Sequence, residues 1–401
     1  MHLLLLLLPA LAFAQSEPCF EPSEVLNTSA YDGRVDGEHV VVFFRSITVD
    51  ASAGADVRDH GDRLFEAIRN QGFRAPRGSD DWLLPIAIDD VPGSSVGGFT
   101  GSEPCAGEQL PWIVLDVQTV LGDELPQILA QELFHATQQE YAYEELWDGP
   151  SDNLWIREAT AGHIEGRVAF HAARRERQAL RWMSNPGRSI TTHDASGVQY
   201  GTFLFFEHLT DTLGHTWHLE FWARIDELEG WDALTVLNGV LQDEGTSLDA
   251  EWSAFLIAIS AGEVAGIAVD IPVDSPADMP ALVTRDDLPW FTSTLDNPTW
   301  PEAWGIGAIK AQADEGGTLF AGFEADTPWF IVMNGEARTG LSLGKWGEDP
   351  TEVWFLASPP QADTTFSLSL STGCACQQGS SGAFGLLPLL LLARRRYPRR
   401  V

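Results

Sequence analysis

The chain has 401 residues, of which 44% are hydrophobic types and 15 are tryptophan; this excludes a disordered polymer and leaves room for one large domain or two. It carries 58 acidic residues against 24 basic ones. A surface so charged repels nucleic acid and anionic membrane, so neither is an expected partner, and the charge names no substrate.

From Leu3 to Ala14 the chain is apolar and closes on Ala12-Phe13-Ala14. A short apolar core ending in small-x-small reads as a secretory signal over residues 1–14, although Met1-His2 supplies no basic residue. Ser16-Glu17-Pro18 is not the run that leads into a lipoprotein cysteine at Cys19. An oxidising compartment would allow Cys19 to pair with Cys105, and the sequence leaves that pairing open.

Residues 38–46, 81–90 and 111–118 are short, β-branched, apolar runs bounded by turn residues, and predict strands. Between the first two, Leu64 and Ile68 fall at helical spacing and Gly72 can end the helix. Residues 88–108, rich in glycine and acid, predict a loop. From Leu125 to about Glu263 the pattern is helical. One helix carries "LPQILAQELFHATQQEY", a long second covers 153–183, and others cover 199–214, 217–228, 231–242 and 247–263. Asp148-Gly149-Pro150-Ser151 separates the first two. Residues 317–325, 327–337, 351–358 and 364–372 are strands between Gly, Pro and Asp turns. The expected fold is α+β: a small sheet with a mostly helical lobe over 15–264, then a β-sandwich-like module over 265–372.

The end, 373–401, has its own character. The apolar run 383–393 would rise only roughly 17 Å as a helix, short of a hydrocarbon core of about 30 Å. Five arginines follow it. Cys374 and Cys376, a small-residue spacer, the leucine run and the arginines together resemble the MYXO-CTERM sorting tail of surface proteins. That resemblance implies export, with the tail anchored or removed, and contact with membrane through the tail alone. Without those five arginines 19 basic residues face 58 acidic ones, a net charge of −39.

The stretch Gln131-Glu132-Leu133-Phe134-His135 is one letter from His-Glu-x-x-His. Helix positions four apart lie about 40° apart, so two histidines at that spacing face one metal ion, and the glutamate after the first can serve as general base. Glu158, 23 residues after His135, lies on the next predicted helix within "NLWIREATAGHIEG". The order "ELFHATQ", then Trp155-x-x-Glu158-Ala159-x-Ala161, then "YGTFLFFEHLTDTLG" resembles the gluzincins, zincin metallopeptidases with a glutamate ligand. The likeness spans about residues 125–220. It implies a zincin-like domain, Zn2+ held by His135 and Glu158, and Glu132 as base, with a polypeptide as substrate or ligand. The remaining ligand falls on Gln131, whose carboxamide oxygen is a poorer donor to zinc than imidazole. Three readings follow: Gln131 ligates weakly, another residue substitutes, or the site is dead and the fold is kept for binding.

His163 is a poor substitute, because five positions after Glu158 place it about 140° round the same helix; Glu165, seven positions on, lies about 20° off and suits a supporting role. A loop residue such as His193 stays open as a replacement. Tyr200 is a candidate donor to a developing oxyanion, and an ordinary core-edge tyrosine fits it too. Bland roles fit the others: a half-buried histidine at 135, solvated glutamates at 132 and 140, ion pairs at Arg157 and Glu158. The basic run 173–178 reads as a solvated helix face, and Phe203, Phe205, Phe206, Phe221 and Trp222 as core. There is no G-x-S-x-G elbow, P-loop or C-x-x-C, and "GIGAIK" lacks the third glycine of a dinucleotide fingerprint. The sequence thus favours an exported surface protein with a metallopeptidase-like domain impaired at Gln131. The alternative is a non-catalytic binding or adhesion protein, and the oligomeric state stays open.

Overall fold

Short, continuous apolar runs build a sheet first. The computed structural model describes residues 31–91, 97–105, 108–143, 146, 153–184, 188–228 and 230–268, together with Trp304 and the strands beyond 290 named below. Strands β1 (Gly33–Asp36), β2 (Val40–Phe44), β3 (Leu84–Asp89), β4 (Gly98–Cys105) and β5 (Glu108–Asp116) form one sheet in the order β1-β2-β3-β5-β4. β2, β3 and β5 run parallel, and β1 and β4 are antiparallel edges. The helix expected between the first strands is α1 (Ala51–Asn70). Asp50 caps it by accepting from the Ala53 N–H at 2.9 Å. It lies close on β2, for a Cβ on Gly54 would meet the Phe44 ring at 2.7 Å. Gly72 ends it at φ +100°, a conformation glycine reaches without strain.

The sequence did not announce β1 or β4. "GFTGSEPC" has little strand propensity, yet it pairs along its length with the apolar β5. Gly101 stands opposite Trp112, whose ring covers the space a Cβ would need. Pairing with a strong neighbour and an aromatic over the glycine outweigh local preference.

After the short α2 (Val117–Val120) comes the helical lobe: α3 (Leu125–Tyr143), α4 (Leu154–Val168), α5 (Ala172–Met183), α6 (Phe203–Leu213), α7 (Thr216–Asp226), α8 (Ala233–Asp243) and α9 (Leu248–Ser260). The long second helix of the sequence reading is two, α4 and α5. Ala169 leaves helical geometry and the His171 ring caps α5 by accepting from the Arg174 N–H at 3.2 Å, a break with no Gly or Pro to mark it. Asn153 ties the start of α4 to that of α8, donating to Trp231 O at 2.8 Å and accepting from Ala233 N at 3.1 Å. Phe203, Phe205, Phe206, Phe221 and Trp222 are fully buried, as expected of core. α3 is buried on nearly every side, with Leu129, Ala130, Leu133, Phe134 and Ala136 inside one hydrophobic cluster. It therefore carries its polar residues into the interior, where each needs a partner.

Beyond the hairpin β6 (Glu263–Val264) and β7 (Ile267–Ala268), described strands form two antiparallel sheets. One is ordered β10 (Leu319–Ala325), β14 (Phe366–Thr372), β8 (Thr294–Asp296). The other is ordered β12 (Glu336–Ala337), β11 (Phe330–Met333), β13 (Glu352–Ser358), β9 (Gly307–Gln312). Each of the four predicted C-terminal runs contains strand. The chain is thus mixed α and β, with a small five-stranded sheet and many helices, consistent with an α+β class. Residues 1–14, Cys19, 148–151 and 373–401 lie outside the described residues. Among the described residues no helix is long and apolar enough to cross a membrane.

Candidate functional site

Gln131, Glu132 and His135 lie on α3 and Glu158 on α4, and all four are buried within one cluster of polar contacts. His135 Nε2 is 3.4 Å from Glu158 Oε2. Gln131 donates from Nε2 to the same Oε2 at 3.3 Å. The other Glu158 oxygen accepts twice from Arg157, at 3.1 and 3.0 Å. Burial alone would raise the Glu158 pKa, but His135 and then Arg157 overcome it and hold the carboxyl at about 2.

The His135 ring is oriented from behind. The Gln138 amide nitrogen donates to Arg157 O at 2.9 Å and to Thr160 Oγ1 at 2.8 Å, so its oxygen faces His135 Nδ1 at 2.8 Å. Nδ1 therefore carries a proton, and Nε2 is the nitrogen presented to Glu158. Burial would lower the His135 pKa, but Glu158 and then Glu132 raise it above the usual imidazole value. The ring so held lies 3.4 Å from the Glu158 carboxylate. Glu132 accepts from Thr100 Oγ1 on β4 at 2.7 Å, and burial keeps its carboxyl above the ordinary range.

Gln131 differs most from a metal ligand. Its oxygen, the atom that could ligate, accepts from Arg174 Nη2 at 3.1 Å. Arg174 also grips Glu165 at 2.8 and 3.2 Å and Glu124 at 3.0 Å. Glu165 accepts in addition from Gln178 at 3.1 Å. It thus supports the site through Arg174, in the role its helical position suggested.

A cleft of about 440 Å³ opens over this network, lined among others by Gly97, Gly98, Gln131, Glu132, Arg174 and Tyr200. Tyr200 belongs to the same cleft, and Glu158, burial and then Glu132 push its hydroxyl pKa upward. Arg181 lies over its ring at 5.0 Å. A second hollow of about 390 Å³ shares Gly97, Arg174 and Arg181 and continues toward Arg177. The run 173–178, expected as a solvated face, instead buries Arg175 and half-buries Arg174, and Arg174, expected at most as a surface ion-pair partner of Glu158, pairs with Glu165 and Glu124. The signal was faint: three arginines, at 174, 177 and 181, spaced to line one side of α5. His163 faces away from this site, bonded to Thr210 and next to Glu207, while His193 stays exposed before Tyr200.

The donor set fits a catalytic zinc poorly. Three protein ligands and an open position define such a centre. Here the Gln131 oxygen is held by the Arg174 guanidinium, and the Glu158 carboxylate is shared among Arg157, the Gln131 amide and the His135 ring. No family model matches the chain, and no curated protein does either.

Proposed function

We propose that the chain is an exported surface protein whose zincin-like domain binds polypeptide without cutting it. The observation that carries this reading is the Arg174–Gln131 bond: a guanidinium holds the oxygen that would have to reach a metal. Arg157 and His135 compensate Glu158 in the same way. The retained fold and cleft suit binding. β4 stands at the end of the sheet order, next to Gly97 and Gly98 in the cleft wall, and an extended peptide can add to such an edge by main-chain hydrogen bonds. Glu132 and Tyr200 then act as polar contacts to that peptide.

The signal at 1–14 and the tail at 373–401 support export and sorting, with the tail as the membrane contact. The two C-terminal antiparallel sheets support a β-sandwich-like module over 265–372, with surface adhesion as its own contribution. Titration with fluorescent peptides, and mass spectrometry of the same peptides after incubation with Zn2+, tests the proposal. Saturable binding without cleavage is expected. Zinc-dependent cleavage lost in both His135→Ala and Glu158→Ala would overturn it.

A further inference from the structure

His163 on α4, His215 at the start of α7 and His218 within α7 converge behind α3, away from the cleft. One ring nitrogen of each lies within 4.8 Å of the other two. His163 and His218 are fully buried, and His215 is half-buried. The Nδ1 atoms of His215 and His218 are buried without a hydrogen bond, while that of His163 faces the Glu207 carboxylate. Two unmet nitrogens so close together stand out, since buried nitrogen normally finds a partner.

The outward-facing atoms are held. His215 Nε2 donates to the carbonyl of Gln71 at 3.1 Å, which leaves Nδ1 as a lone pair. His163 lies with Nδ1 3.0 Å from a Glu207 oxygen and Nε2 3.1 Å from Thr210 Oγ1. His218 is stacked on Trp217 at 4.9 Å and edged by Phe73 at 5.0 Å. Carbonyl and carboxylate partners on the far side of a ring are what orient metal-binding histidines.

We propose that His163, His215 and His218 form a site for a borderline divalent transition metal, such as Zn2+ or Co2+, separate from the Gln131–His135–Glu158 network. Imidazole nitrogen suits these ions. Tetrahedral bonds of about 2.0 Å put neighbouring ligands roughly 3.3 Å apart, so closing even the widest pair takes a shift of at most about 1.5 Å. His218 must also exchange the bond its Nε2 accepts from the Trp222 indole at 3.0 Å, which weakens the site relative to a preformed one. A bound ion would staple α4 to α7, and water would complete its shell.

The test uses the full chain, untagged, with Co2+ absorption and zinc counted by elemental analysis after dialysis against micromolar Zn2+. About one ion per chain is expected, with tetrahedral Co2+ bands. Binding is lost in His215→Ala and in His215→Gln, the second keeping a donor for Gln71, and is kept in His135→Ala. Circular dichroism confirms that each variant is folded; a variant that does not fold is set aside and the other is read. No ion in the wild type would overturn the proposal. So would an ion lost in His135→Ala but kept in the His215 variants, which would place metal at the motif and count against the function proposed above as well. An ion kept by every variant would be adventitious and would also overturn it.

Discussion

Replacing Arg174 by alanine removes four donated bonds from the centre of the site. Glu165 loses the contacts at 2.8 and 3.2 Å and keeps only Gln178, while its side chain is 1% exposed. Gln131 Oε1 and Glu124 Oε2 each lose one more. The Glu124 contact adds little, because that side chain is 33% exposed and water replaces the guanidinium. Glu165 decides the magnitude: stranding a buried charge by deleting its partner costs about 3–5 kcal/mol. The lower end is expected, since Gln178 remains, and about 3 kcal/mol corresponds to a fall in Tm of roughly 6–12 °C for a domain of this size. Denaturant unfolding followed by circular dichroism measures it. Arg174→Ala combined with Glu165→Gln should recover about 2 kcal/mol, because the neutral amide no longer needs a cation. A single variant less than about 1 kcal/mol below wild type, or a double variant no better than the single, would refute the view that Arg174 neutralises Glu165.

Two further outcomes follow from the geometry. Glu158, lowered from 4.5 to about 2, contributes stability that is complete above its unfolded value and lost as pH falls toward 2. His135, raised from 6.5, contributes stability present below that value and lost as pH climbs through its higher folded value. Their pair therefore stabilises most between those limits, and each tenfold difference in proton affinity is worth about 1.4 kcal/mol. His135→Gln should flatten the decline in unfolding free energy from pH 6 upward, and an unchanged slope there would exclude the ion pair. Gly201→Ala should cost about 1–3 kcal/mol by overpacking and displace the neighbouring Tyr200. Its Cβ would meet the Trp182 backbone nitrogen at 2.7 Å and Gln178 O at 2.8 Å, neither of which can swing aside. A Tm equal to wild type would show that the α5–Tyr200 contact is loose.

The periodic parts of the chain were legible. The apolar runs at 40–44 and 84–89 and the 3.6-residue pattern of α3 stand out because burial alone fixes them. β4 was not legible, since its stability comes from β5 and from Trp112 lying over Gly101 rather than from its own residues. Nor was the α4–α5 break, where the stop is a backbone turn at Ala169 and a capping ring at His171. Within the site, helical spacing placed Gln131, Glu132 and His135 together, and the 23-residue interval brought Glu158 to them. The partners that decide their charge state stayed hidden: Thr100 comes from the unforeseen strand, and Arg174 from a run that looked solvated. His215 and His218, three apart on α7, carried a visible His-x-x-His spacing, but only the fold brings His163 to it.

The charges around Gln131 offset one another within the chain. Two buried carboxylates, Glu158 and Glu165, meet Arg157 and Arg174, and His135 lies beside Glu158. The arginines supply positive charge from within the chain. Arg174 cannot be lost cheaply, because Glu165 depends on it. A lone Gln131→His change would place an imidazole where a guanidinium already sits, and like charges would oppose any incoming cation there. One guanidinium thus ties Gln131, Glu165 and Glu124 together beneath a cleft whose wall includes Gly97 and Gly98 beside the edge strand β4.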